Sequence, residues 1–147
     1  MQLRDVMTKN AEVIPSDATI GVAAKRMKDF DVGALPVCDG DRLCGIITDR
    51  DIAIRAVADG LYVHSPVRNV MTEDVVYCFE DQEYEEAAAL MRKHQVRRLP
   101  VLNREKHLVG VVSLGDMALK GDDDSLTART IEDVSAPSVS GELPDDE

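Results

Sequence analysis

The chain has 147 residues, about the length of one domain, and its 28 Asp and Glu outnumber 17 Lys and Arg to give a formal net charge of -11. An acidic chain with no Trp, three Tyr and two Phe lacks the charge and the stacking surface that nucleic acid requires, so we expect no nucleic-acid partner. No apolar run approaches the ~18 residues that span a bilayer, and residues 1–10 contain no apolar segment of the signal-peptide type. We therefore expect no membrane partner and, from three cysteines without disulfide spacing, reduced thiols and a cytoplasmic location.

The sequence repeats itself at an offset of 64 residues. Val6-Met7-Thr8 recurs as Val70-Met71-Thr72, and Leu35-Pro36-Val37 recurs as Leu99-Pro100-Val101. After one inserted residue the offset becomes 65, relating Asp51 to Asp116. We expect one domain over residues 1–62 and a second over residues 63–121, and each is too small to make a comfortable core alone.

Both repeats predict the same order of elements, β-α-β-β-α. A short apolar strand (residues 12–14 and 75–78) is followed by a helix, an L-P-V strand, a turn, a further strand and a second helix. The first helix of each repeat carries an apolar stripe at helical spacing: Ile20, Ala23, Ala24 and Met27, then Tyr84, Ala87, Ala88 and Met91. The fold class is therefore mixed α/β (α+β).

A second motif lies where the last strand of each repeat passes into a helix. Residues 45–51 read G-I-I-T-D-R-D and residues 110–116 read G-V-V-S-L-G-D. A hydroxyl followed three residues later by an acid predicts a capping box, although Asp stands where Glu or Gln is usual. The alternative is a ligand site, in which the hydroxyl receives a phosphate and the carboxylate accepts the vicinal hydroxyls of a ribose. Its occurrence twice in register favours the ligand site.

The third expected segment, residues 122–147, is an acidic and disordered tail. Residues 121–147 carry nine acids against Arg129, a net charge of -8, and are rich in Ser, Pro and Gly. Such a segment buries too little apolar surface to offset its ordering entropy. A docking segment for a basic partner and a short helix around Thr130 to Val134 packed on the body are the alternatives.

Residue types suited to metal or catalytic centres show no useful spacing. His64, His94 and His107 share no ligand spacing with Cys or acids, and no position fixes a carboxylate pair or a Ser/His/Asp triad. We expect no metal, no required cofactor and no enzyme activity.

Taken together, V-M-T, the Ala-Ala helix, L-P-V and G-h-h-[T/S]-x-x-D resemble the CBS domain, named for cystathionine β-synthase, and the two copies resemble a Bateman module. The resemblance covers about residues 3–120, and within the family the chain is similar to bacterial stand-alone two-CBS proteins. It implies two units packed through their sheets with pseudo-two-fold symmetry, often paired again into a homodimer. It also implies clefts between the units for adenosine-containing ligands: AMP, ADP or ATP first, and S-adenosylmethionine or NAD as alternatives.

The same resemblance assigns ligand-binding roles to residues that match the family motifs. Asp51 and Asp116 would hold ribose hydroxyls, while Thr48 and Ser113 would face the ribose or phosphate. The adenine would lie against the first strand and the L-P-V strand of each repeat, near Val13, Ile14 and Val37 in one cleft and Val76, Tyr77 and Val101 in the other. All six are expected core residues as well.

The repeats differ just before the L-P-V strand, where Arg97-Arg98 stand in the second repeat and Gly33-Ala34 in the first. Guanidinium suits phosphate by charge and by bidentate geometry. The alternative is a solvated pair or a salt bridge to a nearby carboxylate. As phosphate ligands, the two arginines would make one site tighter and favour a phosphorylated ligand over S-adenosylmethionine.

These observations favour a regulatory binding module that senses adenine nucleotides and relays occupancy to an unknown effector protein. The alternative is a structural or interaction homodimer with vestigial clefts and no ligand. A phosphate-transferring or nucleotide-hydrolysing enzyme is a third hypothesis, against which the lack of a P-loop counts.

Overall fold

The computed structural model describes residues 1–137, so the last ten residues of the expected tail lie outside the described part of the chain. The helices are α1 (Ile20–Phe30), α2 (Asp49–Asp51, continued as a π-helix over Ile52–Val57), α3 (Tyr84–His94), α4 (Leu114–Lys120) and α5 (Asp124–Ser135). The strands are β1 (Thr8–Lys9), β2 (Ala34–Asp39), β3 (Arg42–Thr48), β4 (Cys78–Phe79), β5 (Arg98–Leu102) and β6 (Leu108–Ser113). The expected mixed α/β class is confirmed.

The chain folds into two compact units that each combine parts of both repeats. The first-repeat unit comprises residues 10–75 and 104–108. Of the described residues, the second-repeat unit comprises 1–9, 76–103 and 109–137. Residues 1–9 thus belong to the compact unit built around the second repeat, not to that of their own repeat.

In the first-repeat unit, the β2–β3 hairpin forms the sheet. Gly40 turns the chain with a φ of 66°, and Ile14 adds a parallel bridge to Val37. Helix α1 packs its apolar stripe on this sheet through Ile20, Ala23 and Met27, which are buried. The remaining buried members of this core are Ile14, Leu35, Val37, Ile47, Ala56, Val67, Val70 and Met71.

In the second-repeat unit, four strands form a sheet in the order β1-β6-β5-β4. Strand β4 runs parallel to β5, with Cys78 opposite Val101, and β1 runs antiparallel to β6. All four predicted stripe residues of α3 are fully buried, in one cluster with residues of this sheet. Their cluster also contains Leu126 and Val134 of α5.

The V-M-T segments explain the glycine that opens the strand-to-helix motif. Thr8 pairs with Val111 on β6, and Thr72 exchanges two backbone hydrogen bonds with Ile46 on β3. A Cβ at Gly110 would lie 2.7 Å from the Thr8 carbonyl oxygen, and one at Gly45 would lie 2.6 Å from that of Thr72. Only glycine lets the V-M-T backbone approach so closely, so these two motifs specify one packing arrangement.

Helix α5 occupies part of the segment that the sequence analysis expects to be disordered. Its buried residues are Leu126, Thr127, Thr130 and Val134, which share one helical face. The Arg92 guanidinium donates to Thr130 Oγ1 at 3.1 Å, and Gln95 donates to the Ala136 carbonyl at 2.8 Å. Helix α3 therefore supplies both the apolar surface and the polar partners that order residues 124–135, although composition alone favours disorder there.

Candidate functional site

In the first-repeat unit, the end of β3 and the start of α2 form a reciprocal capping box. Thr48 Oγ1 accepts from the Asp51 backbone N–H at 3.0 Å, and Asp51 Oδ2 accepts from the Thr48 backbone N–H at 3.0 Å. Arg55 lies one turn further along, with its guanidinium 4.0 Å from Asp51 Oδ1. The Asp51 side chain is 13% exposed, so it is mostly buried but not closed off from solvent.

The second-repeat unit repeats this arrangement with one added contact. Ser113 Oγ accepts from the Asp116 backbone N–H at 3.1 Å, and Asp116 Oδ2 accepts from the Ser113 backbone N–H at 3.0 Å. The other oxygen, Asp116 Oδ1, accepts a hydrogen bond from the Thr8 hydroxyl at 3.0 Å. Strand β1 thus brings the V-M-T threonine to the second motif carboxylate.

The capping-box alternative is therefore realised in both repeats, and it still leaves acceptor capacity for a ligand. A carboxylate offers about four lone-pair sites. The box uses one of them on Asp51 and, together with Thr8, two on Asp116. Two adjacent sugar hydroxyls need two acceptors, which each carboxylate retains.

Of the residues expected near the adenine, only Val37 and Val101 lie on strands, β2 and β5. The strand predicted over residues 12–14 is reduced to an isolated bridge at Ile14, and the one predicted over residues 75–78 begins only at Cys78. Ile14 and Val37 are fully buried and form a bridge, and Val13 is half-buried beside them. Strand β2, which holds Val37, begins at Ala34 directly opposite Thr48. The structure thus joins the expected adenine strand and the motif hydroxyl of the first repeat through one hairpin.

The corresponding residues of the second repeat follow the same plan. Val101 is fully buried opposite Cys78, while Val76 and Tyr77 are half-buried. The Tyr77 ring meets Phe79 edge to face at a centroid distance of 5.6 Å. Val101 is thus a core residue, and of the three only Val76 and Tyr77 retain exposed side-chain surface for a ligand.

The two strand-to-helix motifs differ in the charge beside them, at the residue just before the L-P-V strand. In each unit its carbonyl accepts from the first helical N–H: Gly33 from Asp49 at 2.9 Å, and Arg97 from Leu114 at 3.0 Å. A Cβ at Gly33 would lie 3.1 Å from Asp49 Oδ2. In the first repeat the Asp49 carboxylate therefore lies beside the position whose counterpart in the second repeat carries the Arg97 side chain.

Arg97 and Arg98 are both exposed, and among residues 1–137 neither guanidinium is paired with a carboxylate. The salt-bridge alternative for these arginines thus finds no support in the described part of the chain. Their two positive charges face the solvent, available to an anion.

None of the three cysteines is part of either strand-to-helix motif, although Cys44 directly precedes Gly45 on β3. Burial raises the pKa of Cys38 and of Cys78 to about 11, so both stay protonated near neutral pH. Cys44 is half-buried, and burial together with its hydrogen bond to Asp39 raises its pKa as well. All three are free thiols. Within residues 1–137 we find no group of three or more His, Cys, Asp or Glu side chains arranged to hold a metal ion.

The comparison with known families decides the classification. The model of the CBS domain matches residues 3–57 and 67–120. The chain belongs to the CBS domain family. The resemblance recognised from the repeated motifs is therefore confirmed.

Relatives of this CBS pair include proteins of similar length. YhcV of Bacillus subtilis, a CBS domain-containing protein, is 41% identical over 117 residues, which are 80% of this chain and 83% of YhcV. Hypoxic response protein 1 of Mycobacterium tuberculosis is 38% identical over 117 residues, 78% of this chain and 81% of that protein. Stand-alone CBS proteins of this kind are typically regulatory.

Solved structures agree with the fold. Hypoxic Response Protein I, crystallised with two coordinated zinc ions, has a TM-score of 0.75 at 36% identity, covering 81% of this chain and 98% of its own. The CBS domain pair of MJ0100, in complex with 5'-methylthioadenosine and S-adenosyl-L-methionine, has a TM-score of 0.71 at 28% identity, covering 81% and 94%. None of the helices in residues 1–137 is long and apolar enough to cross a membrane.

Two residues near the sites are not among those the sequence analysis singles out. Thr8 marks the repeat in the sequence, but its hydrogen bond to Asp116 joins residues 108 positions apart. Asp49 lies inside the first motif, where the second has Leu114. Comparing the repeats position by position would have identified Asp49, whereas only the β1–β6 pairing reveals the role of Thr8.

Proposed function

We propose that this CBS pair is a regulatory module that binds an adenine nucleotide and passes its occupancy to an effector protein. The observation that carries the proposal is the pair of motif carboxylates, Asp51 and Asp116. Each is fixed by its own capping box with acceptor capacity to spare. The MJ0100 pair, 28% identical, supports it because that structure holds two adenosyl ligands.

The proposed nucleotide carries phosphate, and the second repeat is its tighter site. Arg97 and Arg98 place two cations there that no carboxylate of residues 1–137 pairs with, and a charge-assisted contact to phosphate is about twice as strong as a neutral one. In the first repeat the same position faces the Asp49 carboxylate, which repels an anion. AMP, ADP or ATP therefore fit the second site better than S-adenosylmethionine, which carries no phosphate.

The proposed output is a change in affinity for another protein, with no reaction catalysed by this chain. The stand-alone relatives match over most of their own length, which leaves no room in them for a large catalytic domain. Free cysteines, two of them buried, fit the proposed cytoplasmic location. A structural protein with vestigial sites is the second candidate, favoured by the Thr8 hydroxyl already bound to Asp116.

Calorimetry and thermal shift with AMP, ADP, ATP, NAD and S-adenosylmethionine test the proposal. A ligand at a hundredfold excess over its Kd stabilises the folded state by about 2.7 kcal/mol. Asp116→Asn keeps an oxygen for the Ser113 cap but removes the charge, so we expect affinity to fall about tenfold or more while folding is retained. Asp51→Asn is the matched variant in the first repeat. A panel in which nothing shifts melting would favour the structural alternative.

The phosphate assignment has its own test. Replacing Arg97 and Arg98 by Ala is expected to weaken the binding of ATP much more than that of adenosine, because adenosine has no phosphate for these side chains to contact. Asp49→Leu, which gives the first repeat the residue found in the second, is expected to strengthen ATP binding there. Equal losses for ATP and adenosine in the arginine variant would remove the phosphate role.

A further inference from the structure

Residues 92–98, here called the basic segment, join the end of α3 to the start of β5. They contain four Lys or Arg and no acid, in a chain whose net charge is -11. Arg92 is already engaged, since its guanidinium donates to Thr130 Oγ1 at 3.1 Å and its Nε lies 3.8 Å from Asp133 Oδ2. Arg97 and Arg98 are exposed, and no carboxylate of residues 1–137 pairs with either of them. Two cations of the basic segment therefore have no acidic partner in the described part of the chain.

Helix α5 runs along α3 in the same direction and ends beside the basic segment. Three side-chain hydrogen bonds join residues that are 38 positions apart: Tyr84 to Asp122, Arg92 to Thr130, and Gln95 to the Asp133 carbonyl. Gln95 also donates to the Ala136 carbonyl at 2.8 Å. The chain thus leaves α5 next to Gln95, two residues before Arg97.

The next ten residues of the sequence, 138–147, are here called the acidic end. They contain four acids and no Lys or Arg: Glu142, Asp145, Asp146 and Glu147. Ten extended residues span up to ~33 Å, whereas the Cα atoms of Gln95 and Arg97 are at most ~8 Å apart. The acidic end starts beside the two arginines, has length enough to reach them and carries the complementary charge.

Tethering favours this segment over other anions. Exposed ion pairs are individually weak and are screened by salt. A short tether nevertheless gives the attached group an effective concentration in about the millimolar range. The described residues already show one such contact between the same two parts of the chain, because Asp133 of α5 lies beside Arg92 of the basic segment.

We propose that the acidic end docks on Arg97 and Arg98 and competes there with the phosphates of the nucleotide. This inference rests on the proposed function, since the competitor is the nucleotide assigned to the second repeat. The basic partner left open for the acidic tail is thus part of the same chain. A nucleotide that binds displaces the acidic end and releases its four negative charges, which makes occupancy readable by an effector protein. The first repeat has no such device, because Gly33-Ala34 stand in place of the arginines.

Removing the charges of the acidic end from the full-length chain tests the competition. The tail variant replaces the four acids by their amides: Glu142→Gln, Asp145→Asn, Asp146→Asn and Glu147→Gln. An acidic end that occupies the arginines for about two-thirds to nine-tenths of the time lowers the apparent affinity to the fraction left free. The tail variant should therefore bind ATP about three- to tenfold more tightly in calorimetry at low ionic strength. Adenosine, which has no phosphate, should bind both chains equally.

A control variant removes the same number of charges from the first-repeat unit. Its four positions are exposed and lie outside both strand-to-helix motifs: Asp29→Asn, Asp31→Asn, Asp41→Asn and Asp59→Asn. A general effect of net charge on ATP binding would appear in both variants, whereas we expect the control variant to bind ATP as the wild type does. Added to the Arg97→Ala and Arg98→Ala variant, the tail substitutions should give no further gain, because their partners are already removed.

A readout without nucleotide separates this proposal from the proposed function. The backbone amide and side-chain Nε–H resonances of Arg97 and Arg98 should differ between the wild type and the tail variant in the nucleotide-free chain. At about 1 M salt, where the Debye length is ~3 Å, the difference should disappear. If no nucleotide of the panel binds and the difference is present, the proposed function fails while the docking of the acidic end stands.

Four results would overturn the docking: an unchanged ATP affinity in the tail variant, an equal gain in the control variant, a gain that persists without the arginines, or arginine resonances that are the same in both chains. Dilution distinguishes the acidic end of the same chain from that of a second copy. A difference in the arginine resonances that is independent of protein concentration supports the contact within one chain, and one that fades on dilution contradicts it.

Discussion

Replacing Gly110 by Ala tests how the V-M-T segment and the strand-to-helix motif are joined. The new Cβ would lie 2.7 Å from the Thr8 carbonyl oxygen and 2.9 Å from Met7 Sδ. Carbon and oxygen in favourable contact lie about 3.3 Å or more apart. Strand β1 must therefore move away from β6 by roughly 0.6 Å, and the obstacle is backbone, which cannot rotate aside as a side chain does.

Overpacking of this kind costs about 1–3 kcal/mol. For a chain of this size each kcal/mol lowers Tm by roughly 2–4 °C. We therefore expect Gly110→Ala to lower Tm by about 2–12 °C in calorimetry, with a matching fall in the urea midpoint. The displaced Thr8 hydroxyl also loses its 3.0 Å hydrogen bond to Asp116, so ligand affinity of the second site should change as well.

Gly115→Ala is the matched control, only five residues away. Its nearest neighbour would be Ser113 Oγ at 3.6 Å, an ordinary contact, and the residue lies within α4. Alanine in a helix is favoured over glycine by roughly 0.5–1 kcal/mol, so Tm should hold or rise. A Gly110→Ala variant as stable as wild type, or a Gly115→Ala variant destabilised to the same extent, would refute the steric reasoning.

Three further predictions concern α5 and the buried groups beneath it. Tyr84→Phe removes the hydroxyl that donates to Asp122 Oδ1 at 2.9 Å and should lower the free energy of unfolding by about 0.5–1.5 kcal/mol in urea titrations, with ring packing kept. Burial, and then the hydrogen bond to Asp122, raises the pKa of Tyr84 to about 12, and burial raises the pKa of Cys78 to about 11. Because both groups ionise more easily in the unfolded chain, the free energy of unfolding should be constant at neutral pH and fall as pH rises above about 9. A flat urea midpoint from pH 7 to 11 would contradict this. Asp123→Ala removes the acceptor that caps α5 through the Leu126 N–H at 3.0 Å, so hydrogen exchange should quicken in α5 and stay unchanged in α1.

Elements that depend on local pattern could be predicted from the sequence. The i, i+3, i+4, i+7 stripe located α3, and all four of its predicted core residues are buried. The capping boxes follow from a hydroxyl and an acid three residues apart, and both are formed. In α1 the same stripe included Ala24, which is exposed. Its counterpart Ala88 is buried in a cluster that also contains Leu126 and Val134 of α5, and no helix of this kind follows the first repeat to be read from the pattern of α1.

Features that depend on distant partners could not be predicted in the same way. The acids of residues 121–147 dominate the composition, so the face formed by Leu126, Thr130 and Val134 seemed too small to order a helix. It is ordered because α3 provides a surface and two hydrogen-bond donors, which lie more than thirty residues earlier. The Thr8 contact to Asp116 depends on β1 joining the sheet of the other repeat, a pairing decided by topology rather than by periodicity.

The two repeats have the same residue types at positions that the fold requires, and different ones at positions on the surface. Gly45 and Gly110 both admit a V-M-T backbone, and both motif acids close a capping box. The differences lie at the surface: Gly33 against Arg97 beside the ligand motif, and Val22 against Glu86 on the helical face. Substitutions confined to such positions leave the core intact while changing the charge at the surface of each repeat, which is why the two copies can share one fold and still differ in what they bind.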